Sequence, residues 1–104
     1  MKIKEVVGEF KAELGKLYGD RLKDVILYGS WAGGRATGGS DIDLLVLLEG
    51  KVASGREIDR MIDVITDINL KYSVLLSVYP VSEKDYLTVN SPLLLNVRKE
   101  GIPA

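Results

Sequence analysis

Apolar residues at the start of the chain recur every three or four positions, with charged residues between them. This period predicts an amphipathic helix whose apolar face covers a sheet. We expect the helix to end near Gly19, because glycine commonly follows the last helical turn. The apolar positions of this helix are Ile3, Val6, Val7, Phe10, Leu14 and Leu17.

Two nearly continuous apolar runs follow, and each has the length of a strand. Leu22 to Tyr28 predicts a first strand buried on both faces, and Asp41 to Leu48 predicts a second. The segment between them, Gly29 to Ser40, holds five glycines in twelve residues. This composition predicts a loop.

Helical spacing returns between Arg56 and Leu70, where the apolar side chains fall on one face. Tyr72 to Tyr79 then predicts a third strand, closed by Pro80 because proline has no N–H to donate to a sheet. A helix between two strands is the ordinary crossover of an α/β protein. The acids of this helix are expected to form a solvated face: Glu57, Asp59, Asp63 and Asp67.

Two short helices are predicted to complete the chain. Ser82 begins a capping box for a helix through Leu87, and Ser91-Pro92 begins a last helix that Gly101 ends. The order of helices and strands indicates the α/β class. With 104 residues, the chain is expected to form a single domain over residues 1–104.

Charge and composition exclude several kinds of chemistry. The formal net charge is −1, so a nucleic-acid partner is not expected, because polynucleotide-binding domains are usually basic. The absence of cysteine and histidine removes disulfides, thiolate nucleophiles, the usual zinc sites and histidine bases. No apolar run is long enough to span a membrane and no signal-peptide pattern opens the chain, so we expect a cytoplasmic protein.

The clearest candidate chemistry lies at Asp41 and Asp43. Side chains alternate along a strand, so these two carboxylates should point the same way while Ile42 and Leu44 enter the core. Two neighbouring carboxylates at a buried strand disfavour each other's ionisation unless a cation lies between them. Mg²⁺ held by carboxylates and by substrate phosphate oxygens is the usual solution.

Gly29-Ser30, directly after the first strand, offers backbone N–H groups and a hydroxyl that suit a phosphate. Two common phosphate motifs do not fit. A Walker A loop would need Lys and Ser or Thr where Arg35-Ala36 stands, and the Rossmann glycine spacing is only half satisfied. The alternative is that the glycines only permit a tight connection between two strands.

The chain carries Gly29-Ser30, then ten residues, and then Asp41-x-Asp43. This pattern resembles the signature of the DNA polymerase β-like nucleotidyltransferases. The short chain resembles the minimal nucleotidyltransferases, in their antitoxin branch. The resemblance implies a small mixed β-sheet flanked by helices. It also implies transfer of an NMP, AMP from ATP in the first instance, to a hydroxyl of a protein or another acceptor. The implied partner is a separately encoded helical protein of the HEPN type, and homo-oligomers are compatible with the sequence.

The resemblance also implies a set of site residues. Asp41 and Asp43 would be the catalytic and Mg²⁺-binding acids, and the residues implied to bind the nucleotide are Gly29, Ser30, Arg35 and Ser40. Relatives commonly carry Gly-Ser-x-Ala-Arg-Gly, whereas here Gly33 stands at the arginine position and Arg35 follows two residues later. The long side chain of Arg35 could still reach a triphosphate; a solvated surface arginine is the alternative.

The wider family usually adds a third acid on the strand after the crossover helix, and this chain has none there. By alternation along the strand, Ser77 is the best candidate for the position of this missing acid. A neutral hydroxyl is a poor substitute for a carboxylate as a ligand of Mg²⁺. Three functions therefore stay open at the level of sequence. They are an active nucleotidyltransferase with two carboxylates, a catalytically degenerate member that binds nucleotide or a partner, and an unrelated small α/β binding module.

Overall fold

A computed structural model describes residues 2–104. Five helices and four strands follow one another along the described chain, with a 3₁₀ turn at Gly19–Arg21. The helices are α1 (Ile3–Tyr18), α2 (Gly29–Ala32), α3 (Ser54–Tyr72), α4 (Glu83–Thr88) and α5 (Pro92–Glu100). The strands are β1 (Leu22–Tyr28), β2 (Ile42–Leu48), β3 (Leu76–Ser82) and β4 (Ile102–Pro103).

The four strands form one mixed sheet in the order β3-β2-β1-β4. β1 runs antiparallel to both β2 and β4, while β2 and β3 are parallel and are joined through α3. The expected mixed sheet flanked by helices is therefore confirmed. None of the helices in the described part of the chain is long and apolar enough to cross a membrane.

Helices cover both faces of the sheet, which explains why β2 is apolar at nearly every position. On one face, α1 and α3 pack on alternate residues of β1 and β2; this core includes Phe10, Leu14, Val25, Leu44, Val46 and Met61. On the other face, a smaller core forms around α5; it includes Ile26, Leu45, Leu47, Val81, Leu94 and Val97. Alternation places Asp43 on this second face, beyond the end of its apolar core.

The third strand begins four residues later than the sequence pattern predicts. Residues 72–75 do not belong to it, because α3 continues to Tyr72 and ends at Ser73 in a left-handed conformation (φ 52°, ψ 47°). The Asn69 side-chain oxygen then accepts a hydrogen bond from the Leu76 N–H (2.9 Å), which fixes the start of β3. Pro80 lies inside β3 rather than beyond it, and is tolerated because β3 is an edge strand.

Glu57 does not join a solvated face, contrary to the sequence-based expectation, because its side chain is buried. The Tyr18 hydroxyl donates to Glu57 Oε1 (2.9 Å), and Arg21 Nη2 donates to Oε2 (3.0 Å). Arg21 Nε also donates to the Glu49 carbonyl (2.9 Å). This network ties the end of α1 to the start of α3 and to the turn after β2.

The ionisation of Glu57 is part of this network. Burial alone would raise the pKa of Glu57, but the hydrogen bonds from Arg21 and Tyr18 outweigh it and leave the pKa below its ordinary value. Burial and the contact with Glu57 raise the pKa of Tyr18 to about 12, so the phenol remains a donor. A carboxylate with a depressed pKa stabilises the fold above its unfolded-state pKa and loses that contribution as the pH falls through its folded-state pKa.

We therefore expect Glu57→Gln to lower the free energy of unfolding by about 2 kcal/mol at pH 7, because it removes charge-assisted hydrogen bonds from a buried group. The difference from the wild type should shrink below about pH 4.5, where the unfolded carboxylate is already protonated. Urea unfolding across pH measures both effects. Glu13→Gln is the matched control. Within residues 2–104 the Glu13 side chain pairs only with the exposed Lys16, so this variant should change stability by less than about 0.5 kcal/mol. Equal losses for the two variants would contradict the assigned role of Glu57.

Candidate functional site

The candidate site is built on one row across three strands. Asp43 of β2 is paired with Tyr28 of β1 on one side and with Ser77 of β3 on the other. Directly paired residues of neighbouring strands project from the same face, so these three side chains form a row on the α5 face of the sheet. Ser77, which the sequence predicts to stand at the position of the missing third acid, thus lies beside Asp43, and its side chain is exposed.

Asp41 and Asp43 interact across this edge of the sheet. Burial raises the pKa of Asp43 above its ordinary value, and the neighbouring Asp41 carboxylate raises it further. Asp41 is exposed and directly precedes β2, and the Ile42 N–H donates to the Leu75 carbonyl (2.9 Å) at that point. Within residues 2–104, no hydrogen bond or ion pair engages either carboxylate side chain.

Two interacting carboxylates without a protein cation are suited to a divalent cation, because hard cations prefer carboxylate oxygen. Only two acids contribute. No group of three or more acids that could hold a metal occurs in the described part of the chain. A cation here would therefore need the remaining oxygens from substrate or water.

Gly29 approaches the Asp43 carboxylate directly. Gly29 has a left-handed conformation (φ 71°), and a Cβ at this position would overlap Asp43 Oδ2 and lie 3.1 Å from Asp43 Cγ. Only glycine permits this backbone conformation and this contact without strain. The corner formed by Gly29 and Ser30 and the acidic pair are therefore neighbours, as the sequence motif requires. Ser30 is half-buried, and its hydroxyl bonds to no other side chain or backbone group of residues 2–104.

The loop that precedes Asp41 is held in place by hydrogen bonds of Trp31 and Ser40. The indole Nε1 of Trp31 donates to the Ser40 carbonyl (3.3 Å), and the ring packs against the larger core. The Ser40 hydroxyl accepts from the Thr37 N–H (3.0 Å). Ser40 thus has a clear structural role in closing this turn beside Asp41.

Arg35 lies at the same corner. The backbone N–H of Arg35 donates to the Ser30 carbonyl (2.9 Å). The Arg35 guanidinium folds back over Gly33, and a Cβ added at position 33 would lie only 2.6 Å from Arg35 Cζ. The guanidinium therefore occupies the space that a side chain at position 33 would take. Among the described residues, no acid pairs with it.

Two tyrosines lie near Asp43 on this face, Tyr28 beside it and Tyr79 further along β3, and neither is among the site residues assigned from the sequence. Burial raises the pKa of Tyr28 above its ordinary value, and the charges of Asp43 and Tyr79 add to the shift. Tyr79 follows Ser77 on the same face of β3, so alternation could have identified it. Tyr28, Tyr79 and Tyr86 pack at the margin of the smaller core.

The contact between Gly29 and Asp43 makes a specific prediction about stability. Gly29→Ala and Gly34→Ala both introduce a Cβ at a positive φ, which should cost about 1 kcal/mol each. Only Gly29→Ala also drives a Cβ into a carboxylate, so it should lose a further ~1–3 kcal/mol in urea unfolding. Gly34 is the matched control because nothing lies within 4 Å of its added Cβ.

An Asp43→Ala background checks the cause of that difference. The alanine removes the overlapping carboxylate, so the two glycine variants should become equally stable in this background. A persistent difference there would mean that Asp43 is not the group that Gly29 approaches.

Comparisons with known proteins show to which family this chain belongs. A family model described as a nucleotidyltransferase domain matches residues 7–94. Two Methanocaldococcus jannaschii proteins, "Putative protein adenylyltransferase MJ0141" and "Putative protein adenylyltransferase MJ0604", are 31% and 35% identical to this chain over 102 residues. The first alignment covers 98% of this chain and 98% of the relative, and the second covers 97% and 96%.

A solved structure, "Crystal structure of the toxin-antitoxin with AMP-PNP", has a similar fold, with a TM-score of 0.63 at 16% identity. The similarity covers 90% of this chain and 68% of that chain. At this identity, the likeness concerns the fold alone. The family match and the two archaeal relatives show that the chain belongs to the nucleotidyltransferase domain family, as the Gly29-Ser30 and Asp41-x-Asp43 signature predicted.

Proposed function

We propose that this protein transfers AMP from ATP to a hydroxyl group of a protein acceptor, with Mg²⁺ as the metal. The observation that carries the proposal is the contact of Gly29 with the Asp43 carboxylate, which brings a phosphate-binding corner and an acidic pair together. The names of the two archaeal relatives, both described as putative protein adenylyltransferases, support ATP as the donor and a protein as the acceptor.

In this proposal, Asp41 and Asp43 would hold Mg²⁺, and the triphosphate would supply further oxygen ligands. When bound, the metal would neutralise the charge that gathers on the phosphate oxygens. The Ser30 hydroxyl and the backbone N–H groups beside it bind the terminal phosphates, and the Arg35 guanidinium, which no acid of residues 2–104 pairs, adds a positive charge at the same corner. Ser40 acts through the turn that positions Asp41.

The reaction forms one bond and breaks one. The acceptor oxygen attacks the α-phosphorus of ATP, the bond from that phosphorus to the bridging oxygen breaks, pyrophosphate leaves, and the hydroxyl proton passes to solvent. Such a transfer depends chiefly on positioning and on cations, which suits a site without histidine or cysteine.

We further propose an antitoxin role, with a separately encoded helical protein of the HEPN type as the acceptor. The solved structure of similar fold is a toxin–antitoxin complex with AMP-PNP, which favours this class of partner. The alternative is a catalytically degenerate member that binds nucleotide or a partner without turnover. One observation favours that alternative, namely the serine at position 77 beside Asp43.

Incubation with labelled ATP and Mg²⁺, with and without the protein encoded beside it, tests the proposal. We expect label transfer to fall at least about a hundredfold in Asp41→Asn and in Asp43→Asn, because each removes a metal ligand. Asp59→Asn, on the exposed side of α3, is the control and should retain activity. Mg²⁺-dependent ATP binding without transfer would support the degenerate alternative. No Mg²⁺-dependent binding of any nucleoside triphosphate would refute the transferase and leave the degenerate alternative only as a member that binds a partner.

Ser77→Asp tests whether position 77 belongs to the metal site by placing a third carboxylate there. Because position 77 is paired with Asp43, the new carboxylate should raise label transfer at least about tenfold by improving metal binding. It should also lower the Tm without Mg²⁺, through like-charge repulsion, and restore it when Mg²⁺ is added. Thr66→Asp, an exposed position of α3, is the control. An unchanged Tm response to Mg²⁺ would show that position 77 does not contribute to the metal site.

A further inference from the structure

The two sides of Asp43 in the sheet differ in their chemistry. On the β1 side, Gly29 approaches the carboxylate and Ser30 follows, so the proposed phosphate corner lies there. On the β3 side, the paired residue is Ser77, which is exposed and uncharged. Among the described strands, none lies beyond β3, because β3 is at the edge of the sheet. No further strand therefore brings a charged group to this side of Asp43.

The third strand and its flanking segments bring no acid there either. Residues 72–82 include no charged side chain. Glu83, the first acid after β3, comes six residues after Ser77, which is about 20 Å along an extended strand. Glu100 directly precedes the segment that forms β4, at the opposite edge of the sheet. Other acids lie at the distant end of the sheet, where β1 begins and where β2 and β3 end: Asp20, Asp24, Glu49 and Asp85.

The acids of α1 and α3 lie on the other face of the sheet. Both helices pack on the larger core, whereas Asp43 and Ser77 project from the face of the smaller core. Glu57, the buried acid of α3, is already bonded to Tyr18 and Arg21. Within residues 2–104, no acid therefore takes the place of a third carboxylate beside Asp43, in agreement with the absence of any group of three acids there.

A second cation beside the first would need ligands on the β3 side of Asp43. In sites with two catalytic cations, the metals lie about 3.5–4 Å apart, and two doubly charged ions repel each other about four times as strongly as two single charges. Anionic oxygen ligands around both ions offset this repulsion. Here the first cation would already use Asp41 and Asp43, and Ser77 offers only a neutral hydroxyl.

The β1 side, in contrast, has a positive group of the protein itself. The backbone bond from Arg35 to the Ser30 carbonyl keeps Arg35 at the phosphate corner. A guanidinium can bind two phosphate oxygens at once through its N–H groups. Arg35 can therefore balance part of the charge on the leaving pyrophosphate, which reduces the need for another metal ion.

We propose that this site works with a single divalent cation that arrives with ATP, and that Ser77 keeps a second one from binding on the β3 side of Asp43. This inference rests on the proposed function and adds to it the number of metal ions. Its consequence is that transfer requires Mg²⁺ in its complex with ATP but no additional free Mg²⁺.

Counting bound Mn²⁺ by electron paramagnetic resonance tests this number without turnover. Mn²⁺ replaces Mg²⁺, and the nucleotide is α,β-methylene-ATP, which cannot be cleaved between its α- and β-phosphorus atoms. We expect about one Mn²⁺ per bound nucleotide in the wild type and about two in Ser77→Asp, because the new carboxylate is paired with Asp43. Thr66→Asp adds the same charge at an exposed position of α3 and should stay at about one.

The possible counts separate this inference from the proposed function. Two Mn²⁺ per nucleotide in the wild type would overturn the inference and leave the proposed function standing. A single Mn²⁺ in both the wild type and Ser77→Asp would also overturn it, because position 77 would then not limit the number. No Mn²⁺-dependent binding of the nucleotide would refute the proposed transferase itself, and the inference with it.

The dependence of the rate on free Mg²⁺ is a second measurement. At a constant, saturating concentration of the Mg²⁺–ATP complex, label transfer by the wild type should change less than about twofold when free Mg²⁺ rises about a hundredfold. Ser77→Asp should respond at least about fivefold, because a second ion can then bind, and Thr66→Asp should behave like the wild type. A wild-type rate that rises and saturates with free Mg²⁺ would reveal a second functional cation and overturn the inference.

Discussion

The pairing of Tyr28 with Asp43 in the antiparallel β1–β2 ladder is the constraint on which the site depends. Because Gly29 follows Tyr28 directly, this register brings the turn after β1 against the Asp43 carboxylate. A shift of one residue would move Asp43 to the opposite face of the sheet, into the core between α1 and α3. The apolar residues that alternate with Asp43 along β2 prevent this shift, because they fill the two cores. Packing of the sheet thus determines where the acidic pair can act.

Two acids of this chain show how burial can serve different purposes. Glu57 is buried with Arg21 and Tyr18 as hydrogen-bond donors, and its pKa is lowered. Asp43 is half-buried beside a second carboxylate, and its pKa is raised. The hydrogen bonds to ionised Glu57 stabilise the fold near neutral pH. The surroundings of Asp43 destabilise its ionised form, and a cation beside it would relieve this cost. The direction of the pKa shift therefore separates the structural acid from the candidate functional one.

Much of the fold could be predicted from periodicity, because β1, β2 and α1 bury regular apolar patterns. The end of α3 could not, since Tyr72 to Leu75 are as compatible with a strand as with a helix end. Tertiary contacts, including the hydrogen bond from Leu76 to Asn69, decide between the two. Glu57 was misjudged for a related reason. Its partners Tyr18 and Arg21 lie more than thirty residues earlier, and helical spacing carries no information about them.

The spacing of Gly29-Ser30 and Asp41-x-Asp43 identified the candidate site, but the sequence did not reveal how its charges balance. A carboxylate at position 77 would stand directly beside Asp43, whose pKa is already raised by one acidic neighbour. Without a cation, a third acid would increase this repulsion and lower the stability of the fold. Serine at this position avoids that repulsion in the free protein, and it would do so at the cost of weaker binding of the proposed metal. It also leaves the β3 side of Asp43 open, because the small serine side chain is exposed there.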